Sequence, residues 1–161
     1  MGFPAKLCKK RPNASVQESS FKDLSGNTFR LNDFKGRVVV LEFMATWCDA
    51  CVLQMPELKI IWEKYGSKIV LISVDVDYME SEETLRSFTK EFPYATWLWT
   101  KNKANLDEYY DVKLVPKTVL IGKDGHTRFV HEGTVSSAIL IEEINQLLNE
   151  SILHDADVDA S

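Results

Sequence analysis

Two apolar runs constrain this chain more than any other feature: "VVVLEFM" (Val38–Met44) and "IVLISVD" (Ile69–Asp75). Each is nearly continuous rather than alternating, so a strand built from it must be buried on both faces. Strands of that kind lie inside parallel sheets, and parallel neighbours need a long crossover, usually a helix. The intervening stretch supplies one. Leu58, Ile61, Trp62 and Tyr65 fall at i, i+3, i+4 and i+7, which is one apolar helix face. Residues 38–75 are therefore expected to form a βαβ unit.

The flanking segments extend that unit. In "FKDLSGNTFRL" (21–31), Ser25-Gly26-Asn27 separates two short runs and predicts a β-hairpin. A helix is expected over 81–92, capped by Ser81, with Glu82 and Glu83 in its first turn and Leu85, Phe88 and Phe92 on one face. Residues 94–100 predict a strand, "NLDEYYDV" a short helix, and Asp124-Gly125 the turn of a second hairpin. A last helix, about 136–150, is expected to bury Leu140, Ile144, Leu147 and Leu148. The order gives an α/β fold with a central mixed sheet flanked by helices.

At 161 residues the chain fits one domain, expected over 16–150. Lys6, Lys9, Lys10 and Arg11 mark 1–15 as a basic, flexible arm, and Asp155, Asp157 and Asp159 mark 151–161 as an acidic tail. A net charge of −5 gives no general attraction to nucleic acid or anionic membrane. No run is long and apolar enough to span a membrane, and the first residues lack the apolar core of a signal peptide. As written, the chain is expected to be a cytoplasmic monomer. It would be exported or membrane-anchored if its N-terminus has been trimmed.

The chemistry concentrates in "MATWCDAC" (44–51). Of three cysteines, Cys48 and Cys51 stand two residues apart where a strand ends and a helix begins. Positions i and i+3 on a first helical turn are neighbours, so a disulfide closes there with little backbone movement. Unpaired N–H groups and the positive end of the helix dipole favour a thiolate at Cys48, which makes it the attacking sulfur. Cys51, one turn in, is expected to be more buried and to resolve the mixed disulfide. Two other readings stand beside this one. Zinc needs four ligands, and only Cys8 and the scattered His126, His131 and His154 remain. An inert staple gains little from closing so short a span. His126 and His131 are expected at the surface, Cys8 as an exposed bystander, and Trp97 and Trp99 in packing roles.

The W-C-x-x-C core resembles the active site of the thioredoxin superfamily, and matching features lie far along the chain. Pro56 stands eight residues after Cys48, Val115-Pro116 precedes "KTVLIGKDG", and Gly133 follows the last strand. The stretch "FRLNDFKGRVVVLEFMATWC" is similar to the TlpA/ResA-like (AhpC/TSA-type) branch of thiol-disulfide oxidoreductases. The resemblance covers about 16–150 and implies a thioredoxin-like fold with an N-terminal β-hairpin and an inserted segment within about 76–110. It also implies a redox-active Cys48–Cys51 disulfide, no cofactor and no metal. Its partners would be a protein disulfide as substrate and a reducing partner, either thioredoxin reductase-like or a membrane thiol donor.

Residue by residue, the resemblance makes Glu42 the buried acid that handles the proton of Cys51. Burial in an apolar strand raises a carboxyl pKa towards neutrality. The plainer reading turns Glu42 to solvent or pairs it with a lysine. Trp47 would pack beside the disulfide and shield it. Pro116, if cis, would present the backbone of Val115 to an extended substrate segment. Two departures stand out. Asp49-Ala50 separates the cysteines, where thioredoxin has Gly-Pro and this branch commonly has Glu-Pro. Gln54 stands where ResA-like proteins carry a functional glutamate, and an amide cannot do a carboxylate's acid–base work. Alternatives from other classes are a thiol peroxidase and a thioredoxin-fold adaptor or metal carrier. The peroxidase pattern places Thr three residues before the reactive Cys, whereas Thr46 is two before Cys48.

Overall fold

The computed structural model describes residues 14–151. Helix α1 (Ala14–Glu18) leads into a small hairpin of β1 (Phe21–Lys22) and β2 (Thr28–Phe29). Then follow β3 (Val38–Met44), α2 (Asp49–Tyr65), β4 (Ile69–Asp75) and α3 (Glu82–Lys90). The chain continues through β5 (Leu98–Lys101), α4 (Leu106–Tyr109), β6 (Lys117–Ile121), β7 (Thr127–Glu132) and α5 (Ser137–Leu148). Five strands form one sheet in the order β5-β4-β3-β6-β7. β3, β4 and β5 run parallel, while β6 pairs antiparallel with both β3 and β7. The mixed sheet and the N-terminal hairpin are as expected, and both long apolar runs form strands with the expected bounds.

Every residue of β3 and of β4 is buried. Alternate residues divide between the two faces. Val38, Val40 and Met44 join Cys51, Met55, Leu58 and Ile61 of α2 and Leu140, Ile144 and Leu147 of α5. Leu85 and Phe88 of α3 belong to the same cluster. Val39, Leu41 and Phe43 face the other way, against Val16, Phe21, Phe29, Leu106 and Tyr110. The hairpin also closes the β5 edge: Leu24 N donates to Trp99 O at 3.1 Å and Thr100 Oγ1 to Lys22 O at 2.8 Å. A covered edge cannot template pairing with another chain.

Three expectations need correction. The strand expected over 94–100 begins only at Leu98, because turn bonds from Ala95 N to Phe92 O and Thr96 N to Tyr94 O hold the chain before it. The aromatic side chains there pack instead of pairing, with Trp97 edge-on to Trp62 at 6.0 Å. α1 begins at Ala14, inside the expected arm. His131 is not at the surface: it is 7% exposed, on the inward phase of β7 shared with Thr127 and Phe129. The rest of the arm, Cys8 included, His154 and the acidic tail from 152 on lie outside the described residues. No helix among the described residues is long and apolar enough to cross a membrane.

Candidate active site

Cys48 and Cys51 form a disulfide at the start of α2, with Cα atoms 5.2 Å apart. Cys48 is the helix N-cap, in extended conformation, and its Sγ accepts the Cys51 N–H at 3.1 Å. A sulfur replaces the usual hydroxyl or carboxylate cap. The same N–H, together with the dipole of a 17-residue helix, is placed to stabilise negative charge on Cys48 after reduction. Cys51 is 1% exposed and Cys48 5%. Across the site the Val115–Pro116 peptide is cis, and Val115 O lies 3.6 Å from Cys48 Sγ.

Glu42 sits at the centre of the sheet and is 0% exposed. Strand alternation turns it to the same face as Val40 and Met44, under α2. Neither carboxylate oxygen makes a well-formed hydrogen bond, though the Ser73 hydroxyl beside it gives some support. Burial pushes its pKa up to about 7, and the neighbouring Ser73 only tempers that shift. The carboxyl is therefore poised to gain or lose a proton near neutral pH.

Trp47 is exposed rather than buried in the core. Its ring is 66% exposed, and its Nε1 donates to Asp77 Oδ2 at 2.6 Å. That bond is one of several tying the segment before Cys48 to the β4–α3 connection. Val76 N donates to Met44 O at 2.9 Å, and Thr46 gives both its N–H, at 3.2 Å, and its hydroxyl to Glu80. The connection is itself anchored by Lys101, whose Nζ bonds Asp75 Oδ2 and Asp77 O, each at 2.6 Å. Burial raises the Asp75 carboxyl to about 6, against the lowering effect of Lys101; the nearby Glu80 raises it further. Sequence reading missed Asp75, Asp77, Glu80 and Lys101, because dispersed charges resemble solvated ones until the fold assembles them.

Gln54 is 0% exposed and fully engaged. Its Nε2 donates to Val135 O at 2.9 Å, and its Oε1 accepts from Val135 N at 2.8 Å. An amide does both at any pH, whereas an ionised carboxylate would meet the Val135 carbonyl with no hydrogen to give. Here position 54 pins α2 to the segment after β7, which accounts for the departure seen in the sequence.

A mixed sheet, a disulfide capping the first crossover helix and a cis-proline facing it define a thioredoxin-like thiol–disulfide oxidoreductase site. The AhpC/TSA family model matches residues 9–130, and the chain belongs to the AhpC/TSA family. It is 33% identical over 133 residues to the thiol-disulfide oxidoreductase ResA of Geobacillus thermodenitrificans, spanning 81% of this chain and 71% of that protein. It is 29% identical over 127 residues to the thioredoxin-like protein YneN of Bacillus subtilis, spanning 78% and 74%. Against ResA of Bacillus thuringiensis it is 32% identical over 118 residues and spans 64% of that protein's length. Among solved structures, the exposed lipoprotein thioredoxin Etrx1 of Streptococcus pneumoniae superposes with a TM-score of 0.71 at 26% identity. That match covers 80% of this chain and 98% of the other. A thiol-disulfide isomerase from Corynebacterium glutamicum shares the fold, with a TM-score of 0.71 at 22% identity over 81% and 92% of the two chains.

Proposed function

We propose that this protein reduces disulfides in protein substrates, with Cys48 attacking and Cys51 resolving. The observation that carries the reading is Cys48 as the N-cap of α2, its Sγ already receiving the Cys51 N–H at 3.1 Å. The Cys48 thiolate attacks one sulfur of the substrate disulfide, and the other sulfur leaves as a thiolate. The product is a mixed disulfide through Cys48. Cys51 then gives its thiol proton to the Glu42 carboxylate and attacks Cys48 Sγ, releasing the second substrate sulfur. Two electrons pass from the dithiol to the substrate, and a reducing partner that donates dithiol electrons restores the pair. The Val115 backbone, Pro116 and the exposed Trp47 ring receive the extended segment around the substrate cysteine.

Peroxide is the less favoured substrate. Thr46 is two residues before Cys48, and its hydroxyl is bonded to Glu80. The test is Cys51→Ser protein mixed with insulin. Covalent adducts through Cys48, cleared by dithiothreitol, are expected, while wild type turns insulin over without accumulating them. No adduct with Cys51→Ser, together with no insulin reduction by wild type, would remove the reading.

A further inference from the structure

The proposed reaction delivers one proton to Glu42 each time Cys51 resolves a mixed disulfide. Re-reduction can return it to Cys51, but whenever Glu42 ionises before then, the proton leaves a carboxyl with no exposed surface. Strand register shows where polar groups meet it. Trp99 of β5, Ser73 of β4, Glu42 of β3, Thr118 of β6 and His131 of β7 stand directly opposite one another in successive ladders. Opposite residues on neighbouring strands share a face, with strands about 4.8 Å apart. One row therefore crosses the sheet beneath α2 and α5.

Its two ends differ. Towards β5, Ser73 Oγ accepts the Trp97 Nε1–H at 2.9 Å, and an indole N–H accepts no proton. That direction is closed. Towards β7, Thr118 is 0% exposed and its hydroxyl has no partner at rest, so the side chain must turn to hydrogen-bond Glu42 or His131. Beyond it, His131 Nε2 lies 2.7 Å from Glu143 Oε2 of α5, at the edge strand of the sheet. Thr118, with no partner, and Glu42, with only Ser73 beside it, thus occupy adjacent positions in an apolar core, where an unsatisfied polar group costs about 1–3 kcal/mol. No packing requirement explains that placement. Other ionisable groups on this face are already engaged: Asp75 with Lys101, Tyr65 with Asn145, and Cys48 with Cys51.

Resting on the reading of Glu42 as proton acceptor for Cys51, we propose that Thr118 and the His131–Glu143 pair form its proton exit. The Glu42 carboxyl gives its proton to Thr118 Oγ1 as that hydroxyl passes its own hydrogen onward. His131 takes it on the imidazole nitrogen left free by the Nε2–H bond to Glu143. Solvent at the β7 edge then removes it. Glu143 balances the charge the ring carries in transit.

The experiment is a pH jump from 5 to 9 on the oxidised protein, following the infrared carbonyl band that Glu42→Gln abolishes. Thr118→Val is expected to leave the equilibrium titration of that band in place and to slow its decay about tenfold or more. His131→Phe should slow it likewise, and Thr118→Ser should restore the wild-type rate. Decay in folded Thr118→Val that matches wild type overturns the route. So does Thr118→Ser decay as slow as that of Thr118→Val, which would mark a packing role. The oxidised protein performs no thiol exchange, so this outcome is separate from the Glu42 assignment. That assignment fails if Glu42→Gln resolves mixed disulfides as fast as wild type.

Discussion

Glu42→Leu is expected to stabilise the oxidised protein by about 3 kcal/mol more at pH 8 than at pH 4.5. The carboxyl is fully enclosed, with only Ser73 beside it to support its charge. Its folded pKa is raised by burial from 4.5 to about 7. Below pH 4.5 it is neutral in both the folded and unfolded chain and contributes no charge penalty. As the pH rises from 4.5 to 7 the unfolded chain ionises while the folded protein holds its proton, so stability falls. Above 7 the full penalty is present, at about 1.4 kcal/mol for every tenfold difference in proton affinity between the folded and unfolded chain. Leucine removes the titrating group and with it this part of the slope. Urea unfolding of both proteins across pH 4.5–8.5 measures the difference. Parallel curves would show that the carboxyl is not perturbed.

Lys101→Met is expected to work in the opposite direction, costing about 3 kcal/mol at pH 8 and much less at pH 5. Lys101 Nζ sits 2.6 Å from Asp75 Oδ2, and the Asp75 side chain is 0% exposed. Removing the ammonium leaves a buried carboxylate facing Glu80, which already raises it. At pH 5 the carboxyl escapes by taking a proton; at pH 8 it cannot do so cheaply. Because Lys101 also bonds Asp77 O, the loss reaches Trp47 and Thr46, which the same connection holds. Adding Asp75→Asn should recover most of the stability at pH 8. An equal loss at both pH values, or no recovery in the double variant, would show that the ion pair is not what anchors the connection.

These two carboxylates show what the sequence discloses. Glu42 is legible because it interrupts "VVVL-FM", a run whose own character says it is buried. The βαβ unit is legible for the same reason, since continuous apolar runs leave a strand only one kind of place. Cys48 as a helix cap follows from the strand ending where the helix must start. Asp75 is equally buried, but it stands last in its run, where a charge ordinarily meets water, and its partner Lys101 is 26 residues away. Thr118 is hidden by its neighbours in "KTVLIG". Nothing local shows that register sets it opposite Glu42, because register is fixed by the assembled sheet. His131 reads as a surface residue from its polarity near the end of a strand; its phase with Phe129, and the arrival of Glu143 from α5, bury it once the sheet is assembled. Trp47 follows from the motif as a residue but not in its orientation, which depends on Asp77 from a segment thirty residues on.

The direction of electron flow is the centre of the account, and the reduction potential of the Cys48–Cys51 pair tests it most directly. Equilibration with reduced and oxidised glutathione at pH 7, with the two forms separated by thiol alkylation and mass, gives that value. A reductant of protein disulfides predicts a potential near about −270 mV or below, in the range of thioredoxin. A potential near about −120 mV, in the range of strong oxidants, would contradict it and make the pair a donor of disulfides.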